Sequence, residues 1–416
     1  MADELNAPQL EAVHHVHGPL LVLAGAGSGK TRVITRKIVH LIRDQQVAPK
    51  HICAVTFTNK AAREMKSRVS QSLQGHNSRG LMVSTFHRLG LDILRKDIER
   101  LGYRNNFSVI DPGDSLSMVR NLLRDANGPS DLAEAIQARI SRFKNDGFLP
   151  QEAQGEDRLG EEAAVIYKPY QRALSACNAV DLDDLILLPT RLLQENEEAR
   201  TAWQDRIRYL LVDEYQDSNG AQYRLIRNLL GLRHNLTAVG DDDQSIYSWR
   251  GAAADNLHRL AQDYPALKVI KLEQNYRSTG RILQSANAVI AQNPHLFEKR
   301  LWSNLGDGHP IRVLNCADES DEAEQVVNAI LRDRFQRQGE YRDYAILYRS
   351  NHQSRPFEAA LRNARIPYQI SGGLSFFERS EIKDFLAYLR LLSNPDDDPA
   401  FLRAVNTPRR GIGSST

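Results

Sequence analysis

The chain has 416 residues, a length that predicts two to four domains rather than one. It carries a formal net charge of +2, with 25% charged and 41% hydrophobic residues, which excludes a disordered chain and a membrane-spanning one. Three widely spaced cysteines without a CxxC pair predict neither disulfides nor a zinc site. We therefore expect a soluble cytoplasmic protein without membrane contacts, in which any nucleic acid would bind to a local groove.

Short apolar runs that end at a polar or glycine-rich cluster recur along the first 275 residues. Such runs are typical of the buried strands of a parallel sheet, and helical patterns follow most of them. In open α/β sheets ligands bind at the carboxyl ends of the strands, so we expect these clusters to form one continuous binding edge. The runs are LLVLAG (20–25), ICAVTF (52–57), LMVSTF (81–86), YLLVDE (209–214), LTAVGD (236–241) and VIKLEQ (269–274).

The pattern changes twice further along the chain. Helical segments such as DLAEAIQARISRF fill residues 88–190 and predict a helical insertion in the first sheet domain. Beyond NYRST a second α/β region is expected, with IRVLNC (311–316) and YAILYRS (344–350) as strands. From SGGLSFFERSEIKD onward the pattern is again helical. The fold class is therefore α/β.

The segment AGAGSGKT follows a predicted strand and opens a predicted helix, as a phosphate-binding loop does. Small residues allow backbone N–H groups to approach phosphates, Lys30 can reach the outer phosphates, and Thr31 can bind Mg²⁺. The alternative is a glycine-rich turn without a ligand. The predicted loop consists of Ala24, Gly25, Ala26, Gly27, Ser28, Gly29, Lys30 and Thr31.

YLLVDEYQD supplies the carboxylates that such a site requires. Asp213, at a strand end, can hold Mg²⁺, and Glu214 can orient or deprotonate the attacking water. A solvated acidic strand end is the alternative for a lone Asp-Glu pair. A third segment, GDDDQSIYSWRGA (240–252), joins carboxylates and an amide to two aromatics and an arginine.

These segments carry a family resemblance. LNAPQ, AGAGSGKTR, TFTNKAAREMKSR, STFHRLG, DLDDL, LLVDEYQD, GDDDQSIYSWRG and KLEQNYRST occur in the order typical of superfamily 1 DNA helicases of the Rep, UvrD and PcrA type. The resemblance covers essentially the whole chain, and AILYRSNHQSR and SGGLSFFERSEIKD are most similar to the Rep branch. It implies a RecA-like P-loop sheet domain (1–87 and 191–275) with a helical insertion (88–190). Part of a second RecA-like domain (276–375) and the start of a second helical insertion (376–416) would follow.

For the nucleotide, the resemblance implies ATP and Mg²⁺, with Lys30, Thr31, Asp213 and Glu214 in the roles given above. Gln9 would recognise the adenine edge, between Arg32 and Tyr276 on the two sides of the ring. Gln244 would contact the γ-phosphate, and Arg277 would act as an arginine finger from the second sheet domain.

For DNA, the resemblance implies aromatic and polar contacts that hold single strands with little sequence preference. The implied residues are Phe57, Asn59, Thr85, His87, Tyr247, Trp249, Arg250 and Arg349. Aromatic residues at strand ends otherwise belong to the core.

The implied activity is that of an ATP-dependent 3′ to 5′ helicase and translocase, acting on single-stranded DNA and on single-strand/duplex junctions in replication. Replication-fork proteins, nucleoid association and a monomer or DNA-induced dimer are further expectations. Two motifs that the family carries near its C-terminus do not occur, so we expect the N-terminal part of a helicase. The alternatives are a nucleotide- and DNA-binding fragment without unwinding activity and a UvrD- or PcrA-like repair helicase. A signalling P-loop protein is disfavoured, because it would leave the DNA-side segments without a role.

Overall fold

The computed structural model describes residues 5–73, 75, 77–246, 255–293, 297–371 and 376–412. The chain forms two compact units. The first contains the described residues up to 309 and those of 390–402, and the second contains those of 310–389 and from 403 onward. The described residues of 276–309, which we predicted as the start of a second sheet domain, belong to the first unit.

A six-stranded parallel sheet forms the centre of the first unit, in the order β3-β2-β6-β7-β1-β8. All six predicted strands of the first 275 residues are confirmed. The strands are β1 (Leu20–Ala24), β2 (Ile52–Thr56), β3 (Met82–Thr85), β6 (Tyr209–Val212), β7 (Leu236–Gly240) and β8 (Lys268–Leu272). The strands β4 (Ser108–Val109) and β5 (Ala179–Val180) pair separately as a short parallel ribbon.

Helices occupy most of the connections between the strands. Those up to residue 206 are α1 (Ala7–His14), α2 (Lys30–Arg43), α3 (Asn59–Leu73), α4 (Phe86–Asp97), α5 (Pro112–Asp125), α6 (Ala133–Asn145), α7 (Arg158–Ala176), α8 (Asp184–Glu195) and α9 (Glu197–Arg206). The later helices are α10 (Gly220–Leu230), α11 (Asp255–Asp263), α12 (Gly280–Ile290), α13 (Glu319–Arg337), α14 (Ser354–Asn363), α15 (Ser380–Ser393) and α16 (Asp398–Val405).

Both faces of the four central strands are buried, which explains why these strands are mostly apolar. Alternate residues of a strand point to opposite faces, so Leu20 and Val22 pack in one core while Leu21 and Leu23 pack in the other. Helix α2 covers the first of these faces with Ile34 and the residues one turn apart on the same side. The sheet is therefore held between two helical layers, and its strand ends are fixed relative to one another.

The segment predicted as a helical insertion contains α5, α6 and α7, which pack around a core of their own. Lys144 of α6 is fully buried there and donates to Asp181 at 2.7 Å and to Asp184 at 2.8 Å. Because a buried charge is costly unless it is paired, these two carboxylates are what allows Lys144 to lie in the interior.

The second unit differs from the prediction. Neither IRVLNC (311–316) nor YAILYRS (344–350) forms a strand, and Val313 and Leu347 are 86% and 93% exposed. A strand needs a neighbour to bond its backbone, and no described segment pairs with either run. The core of this unit instead joins α13 and α14 through Val327 and Leu361. Among the described helices of the whole chain, none combines the length and apolar character that crossing a bilayer requires.

Candidate functional site

The carboxyl ends of the six strands bring most of the predicted site residues to one edge of the sheet. The phosphate-binding loop follows β1, Asp213 and Glu214 follow β6, and Gln244 lies in the turn after β7. Four of the predicted DNA-side residues lie at the ends of β2 and β3, which are neighbours at one end of the strand order. These four are Phe57, Asn59, Thr85 and His87. The strand order therefore separates the residues predicted for the nucleotide, called here the nucleotide half of the edge, from those predicted for DNA, called the DNA half. The two halves meet where β2 pairs with β6.

The loop after β1 has the backbone that a phosphate cradle requires. Gly27 and Gly29 have φ of +70° and +93°, a region that residues with a Cβ rarely adopt. A Cβ on Gly27 would also lie 2.7 Å from the side-chain nitrogen of Asn275. The loop ends at Lys30, the first residue of α2, so the amino end of a 14-residue helix points at the site.

Five residues around this loop form a closed ring of hydrogen bonds through four side-chain contacts and one backbone N–H, called here the polar ring. Lys30 Nζ donates to Glu214 Oε2 at 2.9 Å and to Gln244 Oε1 at 3.3 Å. Gln216 Nε2 donates to the same Glu214 oxygen at 2.9 Å. The backbone N–H of Asp241 donates to Gln216 Oε1 at 3.0 Å, and Gln244 Nε2 donates to Asp241 Oδ2. The P-loop lysine, the strand-end acid and the predicted γ-phosphate contact are thus linked directly.

The two acids of the DE pair have different surroundings. Asp213 is buried, and burial together with the neighbouring Glu214 carboxylate raises its pKa to about 6 although Lys30 opposes the shift. Glu214 has φ +50°, a left-handed conformation that costs a non-glycine residue about 1 kcal/mol. This conformation lets its side chain reach Lys30 while its N–H donates to Asp213 Oδ1 at 3.1 Å.

Two buried carboxylates, each interacting electrostatically with Glu214 and Lys30, offer oxygen ligands of the kind that a divalent cation takes. Asp213 and Asp217 are both buried carboxylates with pKa values raised to about 6, chiefly by burial, and one oxygen of Asp217 has no hydrogen-bond partner among the described residues. Oxygen ligands are those that Mg²⁺ prefers, and a cation would offset the cost of burying these charges. Thr31, half-buried in the first turn of α2, supplies the hydroxyl that we predicted as a further ligand.

Gln9 lies against the phosphate-binding loop. Its side chain is fully buried, accepts from the N–H of Asn6 at 3.1 Å and donates from Nε2 to the carbonyl of Ser28 at 2.8 Å. The first contact completes a capping box at the start of α1, and the second ties that helix to the loop. The amide that we predicted to read adenine therefore also holds the loop in place.

The segment after β8 packs on the same loop. Asn275 Nδ2 donates to the carbonyl of Ala26 at 2.6 Å, and the N–H of Tyr276 donates to the carbonyl of Gly27 at 2.9 Å. The N–H of Arg277 donates to Asn275 Oδ1 at 2.8 Å. Tyr276 and Arg277 thus lie beside the loop within the first unit, and Arg32 lies half-buried in the first turn of α2.

The DNA-side predictions fall into three groups. Phe57 is half-buried and Asn59 exposed directly after β2, while Thr85 is buried and caps α4 by accepting from Arg88 N at 3.3 Å. His87 is the second residue of α4 and is exposed, and Arg349 is exposed in the second unit. Tyr247, Trp249 and Arg250 lie outside the described residues.

Several residues of the site were not predicted from the sequence. Gln216 and Asp241 complete the polar ring, Asn275 holds the loop, and Lys299 contacts Asp241. Gln216 and Asp241 stand within the quoted segments, next to assigned residues, so their position at strand ends was a usable signal. Lys299 stands in no quoted segment.

Comparison with known proteins gives concordant results. A profile of the UvrD/REP helicase N-terminal domain matches residues 5–265, and a profile of the UvrD-like helicase C-terminal domain matches residues 270–416. The chain is 58% identical over 416 residues to the ATP-dependent DNA helicase Rep of Escherichia coli (strain K12), covering 99% of this chain and 62% of that protein. It is 45% identical over 421 residues to the ATP-dependent DNA helicase PcrA of Staphylococcus epidermidis, covering 100% of this chain and 57% of that protein.

The Rep protein of Salmonella typhimurium is 57% identical over 418 residues, and the chain again spans 62% of its length. The matched profiles together extend over nearly all of the described sheet, its helical layers and the second unit. On this evidence the chain belongs to the UvrD/REP helicase family.

Proposed function

We propose that the nucleotide half of the edge binds ATP with Mg²⁺ and hydrolyses it. The observation that carries the proposal is the polar ring, in which the P-loop Lys30 is held by Glu214 and Gln244 at the amino end of α2. A phosphate at this helix end would attract the Lys30 ammonium, because helix N-termini and lysines both favour anions. Lys30 would then exchange its contact with Glu214 for one with phosphate oxygens.

That exchange gives the remaining side chains their roles. Glu214, released by Lys30 but still bonded by Gln216 at 2.9 Å, is left as a carboxylate able to accept a proton from an attacking water. Gln244 keeps its amide nitrogen on Asp241, so its oxygen faces Lys30 and would reach the γ-phosphate through a shared donor, either the Lys30 ammonium or the attacking water. Mg²⁺, when bound, would neutralise charge on the phosphate oxygens. Asp213, Thr31 and the buried Asp217 carboxylate are the candidates to hold it.

For the base and ribose we propose Gln9, Arg32 and Tyr276. Support comes from the anchoring of Gln9 to Ser28 at 2.8 Å and of Tyr276 to Gly27 at 2.9 Å, which fixes both residues beside the loop. Arg277 is proposed as the arginine finger, since its backbone bonds the Asn275 side chain that in turn binds the loop. An arginine in this role can contribute a rate factor on the order of 10³ or more.

For the DNA half we propose single-strand binding by Phe57, Asn59, Thr85 and His87, together with Tyr247, Trp249, Arg250 and Arg349. Support comes from the position of the first four at or just after the carboxyl ends of β2 and β3, at the same edge as the polar ring. The segment 240–252 is proposed to serve both ligands, with Gln244 on the nucleotide and the aromatic residues beyond it on DNA. The division into four domains belongs to this proposal.

We further propose that the two halves work together as a DNA helicase motor. The relatives are named ATP-dependent DNA helicases, and the chain spans about 62% of the length of the Rep proteins that it matches. This proposal includes 3′ to 5′ translocation on single-stranded DNA and action at single-strand/duplex junctions. It also includes replication-fork partners, a monomer or DNA-induced dimer, and a place at the nucleoid. They rest on the family alone.

Two measurements test the proposed function. Titration with a fluorescent ATP analogue in Mg²⁺ should give saturable binding that Lys30→Ala weakens at least about tenfold, because the lysine charge at the phosphates is lost. Equal binding by both proteins would refute the nucleotide site. Strand separation should be measured on labelled duplexes with a 3′ or a 5′ single-stranded tail. Unwinding of the 3′-tailed duplex alone supports the motor and its direction; ATP binding without strand separation on either duplex would favour a binding module.

A further inference from the structure

Lys299 lies at the centre of three consecutive carboxylates, called here the acidic turn (Asp241–Asp243). Its ammonium is 2.5 Å from Asp241 Oδ1 and 2.9 Å from Asp243 Oδ2, and it also contacts Asp242 Oδ1. The Lys299 side chain is only 4% exposed. A buried ammonium in contact with three carboxylates is a specific arrangement. An exposed lysine makes only weak ion pairs, whereas a buried lysine charge is costly unless carboxylates compensate it.

The acidic turn needs this cation. The three carboxylates have oxygens within 4.8 Å of one another, so without a positive charge they would repel and the turn would open. Burial by itself lowers the pKa of Lys299, but hydrogen bonds with the three carboxylates outweigh burial and raise that pKa. Lys299 is therefore charged under all ordinary conditions and acts as a fixed part of the turn.

Asp241 connects Lys299 to Gln244. One oxygen of Asp241 contacts Lys299, and the other accepts from Gln244 Nε2. A carboxylate can only accept, so it fixes which end of the Gln244 amide faces it. The carbonyl end must then point the other way, toward Lys30 Nζ at 3.3 Å.

The segment that carries Lys299 is itself anchored to the chain after β8. The N–H of Arg300 donates to Glu273 Oε1 at 2.9 Å, and the N–H of Trp302 donates to the carbonyl of Glu273 at 3.1 Å. On the other side, Lys271 Nζ donates to the carbonyl of Glu298 at 2.6 Å. Lys299 is thus held from a backbone that does not depend on the acidic turn.

We infer that Lys299 is a positioning residue for recognition of the γ-phosphate. It holds the acidic turn closed and, through Asp241, keeps the Gln244 carbonyl oxygen on the Lys30 ammonium, which is the donor proposed to contact the phosphate. This inference rests on the proposed role of Gln244. It assigns to Lys299 no contact with nucleotide.

The test compares affinities for ATPγS and ADP by calorimetry in Mg²⁺, because only ATPγS carries a γ-phosphate group. The ratio of the two affinities should fall about 5- to 10-fold in Lys299→Met and by a similar factor in Gln244→Ala, within the range of typical coupling between sites. Lys299→Met should change the ratio no further in the Gln244→Ala background, since both variants remove the same contact. Lys268→Met, which removes a lysine of β8 that pairs with Glu11 and has no part in holding Lys299, should keep the parental ratio.

The outcomes separate the two claims. Parental discrimination in Lys299→Met, or an equal effect in both backgrounds, overturns the inference while the nucleotide site stands. If Gln244→Ala keeps the parental ratio of ATPγS to ADP affinity, Gln244 does not sense the γ-phosphate, and the inference about Lys299 is overturned with it. If the parent binds neither nucleotide, the nucleotide site itself is refuted. If Lys299→Met lacks the circular dichroism of the parent, Asp243→Asn, which removes one ionic contact and keeps the side-chain shape, should lower the ratio in the same direction. An unchanged ratio in Asp243→Asn would then overturn the inference.

Discussion

The ammonium of Lys30 donates a 2.9 Å hydrogen bond to the carboxylate of Glu214 across the loop between β1 and α2. The Lys30 side chain is 11% exposed and that of Glu214 is 36% exposed, so the pair is partly shielded from water. A bound phosphate, as proposed above, would therefore compete with the Glu214 carboxylate for Lys30. In the nucleotide-free protein Glu214, the proposed base, is hydrogen-bonded to Lys30, the residue proposed to bind the phosphates.

This competition makes Glu214→Gln an informative change. Nucleotide affinity should be equal to or higher than that of the parent, because Lys30 no longer has to leave a carboxylate. Hydrolysis should fall by roughly 10²-fold or more, because the amide cannot accept a proton. Glu195→Gln, which changes an exposed helix-surface acid paired with Arg191, is the matched control. Hydrolysis at the parental rate by Glu214→Gln would rule out the proposed base.

Asn275 should prove necessary for the loop conformation. It donates to Ala26 and accepts from the N–H groups of Arg277 and Ser278 at 2.8 and 2.7 Å, so Asn275→Ala leaves three backbone groups without their partner. We expect ATP affinity to fall several-fold and the free energy of unfolding to fall by about 1–3 kcal/mol.

The control for this change is Asn235→Ala. Asn235 also bridges two loops, accepting from Gly18 N at 3.0 Å and donating to the carbonyl of Arg208 at 3.2 Å, but it precedes β7 at the opposite edge of the sheet. It should lower stability while ATP affinity is retained. Equal ATP affinity in the two variants would show that the anchoring of the loop by Asn275 is unimportant.

Asp217 should reduce the stability of the nucleotide-free protein. Burial raises the pKa of Asp217 to about 6 from an ordinary value of 3.8, so the folded protein binds this proton more tightly than the unfolded chain does. The stabilisation of the folded protein by this proton is complete below pH 3.8 and is lost as the pH rises through 6. Asp217→Asn should therefore be more stable than the parent at pH 7 to 8, by about 1–3 kcal/mol for a shift of this size. The difference should shrink as the pH falls from 6 to 4.

Urea unfolding at several pH values measures this difference. Asp205→Asn, at a side chain that is 63% exposed, should show no comparable gain at neutral pH. A parent that is more stable than Asp217→Asn at pH 7 would contradict the assignment of a costly buried carboxylate.

Phe57 is the described aromatic residue that tests the DNA half. Stacking of one base on an aromatic ring contributes about 1–3 kcal/mol, so Phe57→Ala should weaken binding of a single-stranded oligonucleotide by roughly 5- to 150-fold. ATP affinity should be retained, because Phe57 follows β2 and the polar ring lies on the other strands. Phe335→Ala, at an 88% exposed ring on α13, serves as the control for loss of an exposed aromatic. Superimposable DNA titrations of Phe57→Ala and the parent would exclude stacking on this ring.

The sequence predicted the local features of the site well. β1, the glycine loop and α2 follow from short-range patterns, and the buried strand ends place Asp213 and Gln244 at one edge. Features that depend on distant pairing were not predictable in the same way. Lys299 and the acidic turn are separated in the sequence by α11, β8 and α12. No local sequence pattern therefore predicts their contact.

The strands predicted at 311–316 and 344–350 fail for a related reason. Their apolar patterns satisfy the local rule, but a strand also requires a neighbour, and the pattern of one run carries no information about its partner. At Thr85 the position was predicted from the family resemblance, but its local structural role was not. It lies where the family resemblance expects a DNA contact, yet its hydroxyl already caps α4 through Arg88 N.

The central claim is that the two halves of one sheet edge are coupled, so that DNA on the β2–β3 side controls chemistry at the polar ring. The most direct measurement is the rate of ATP hydrolysis at saturating Mg²⁺ and ATP, with and without a single-stranded oligonucleotide, using Lys30→Ala as the blank. Our account predicts that the rate rises with oligonucleotide concentration to a plateau well above the DNA-free rate. A rate that is the same at every DNA concentration, in a protein that binds both ligands, would contradict it.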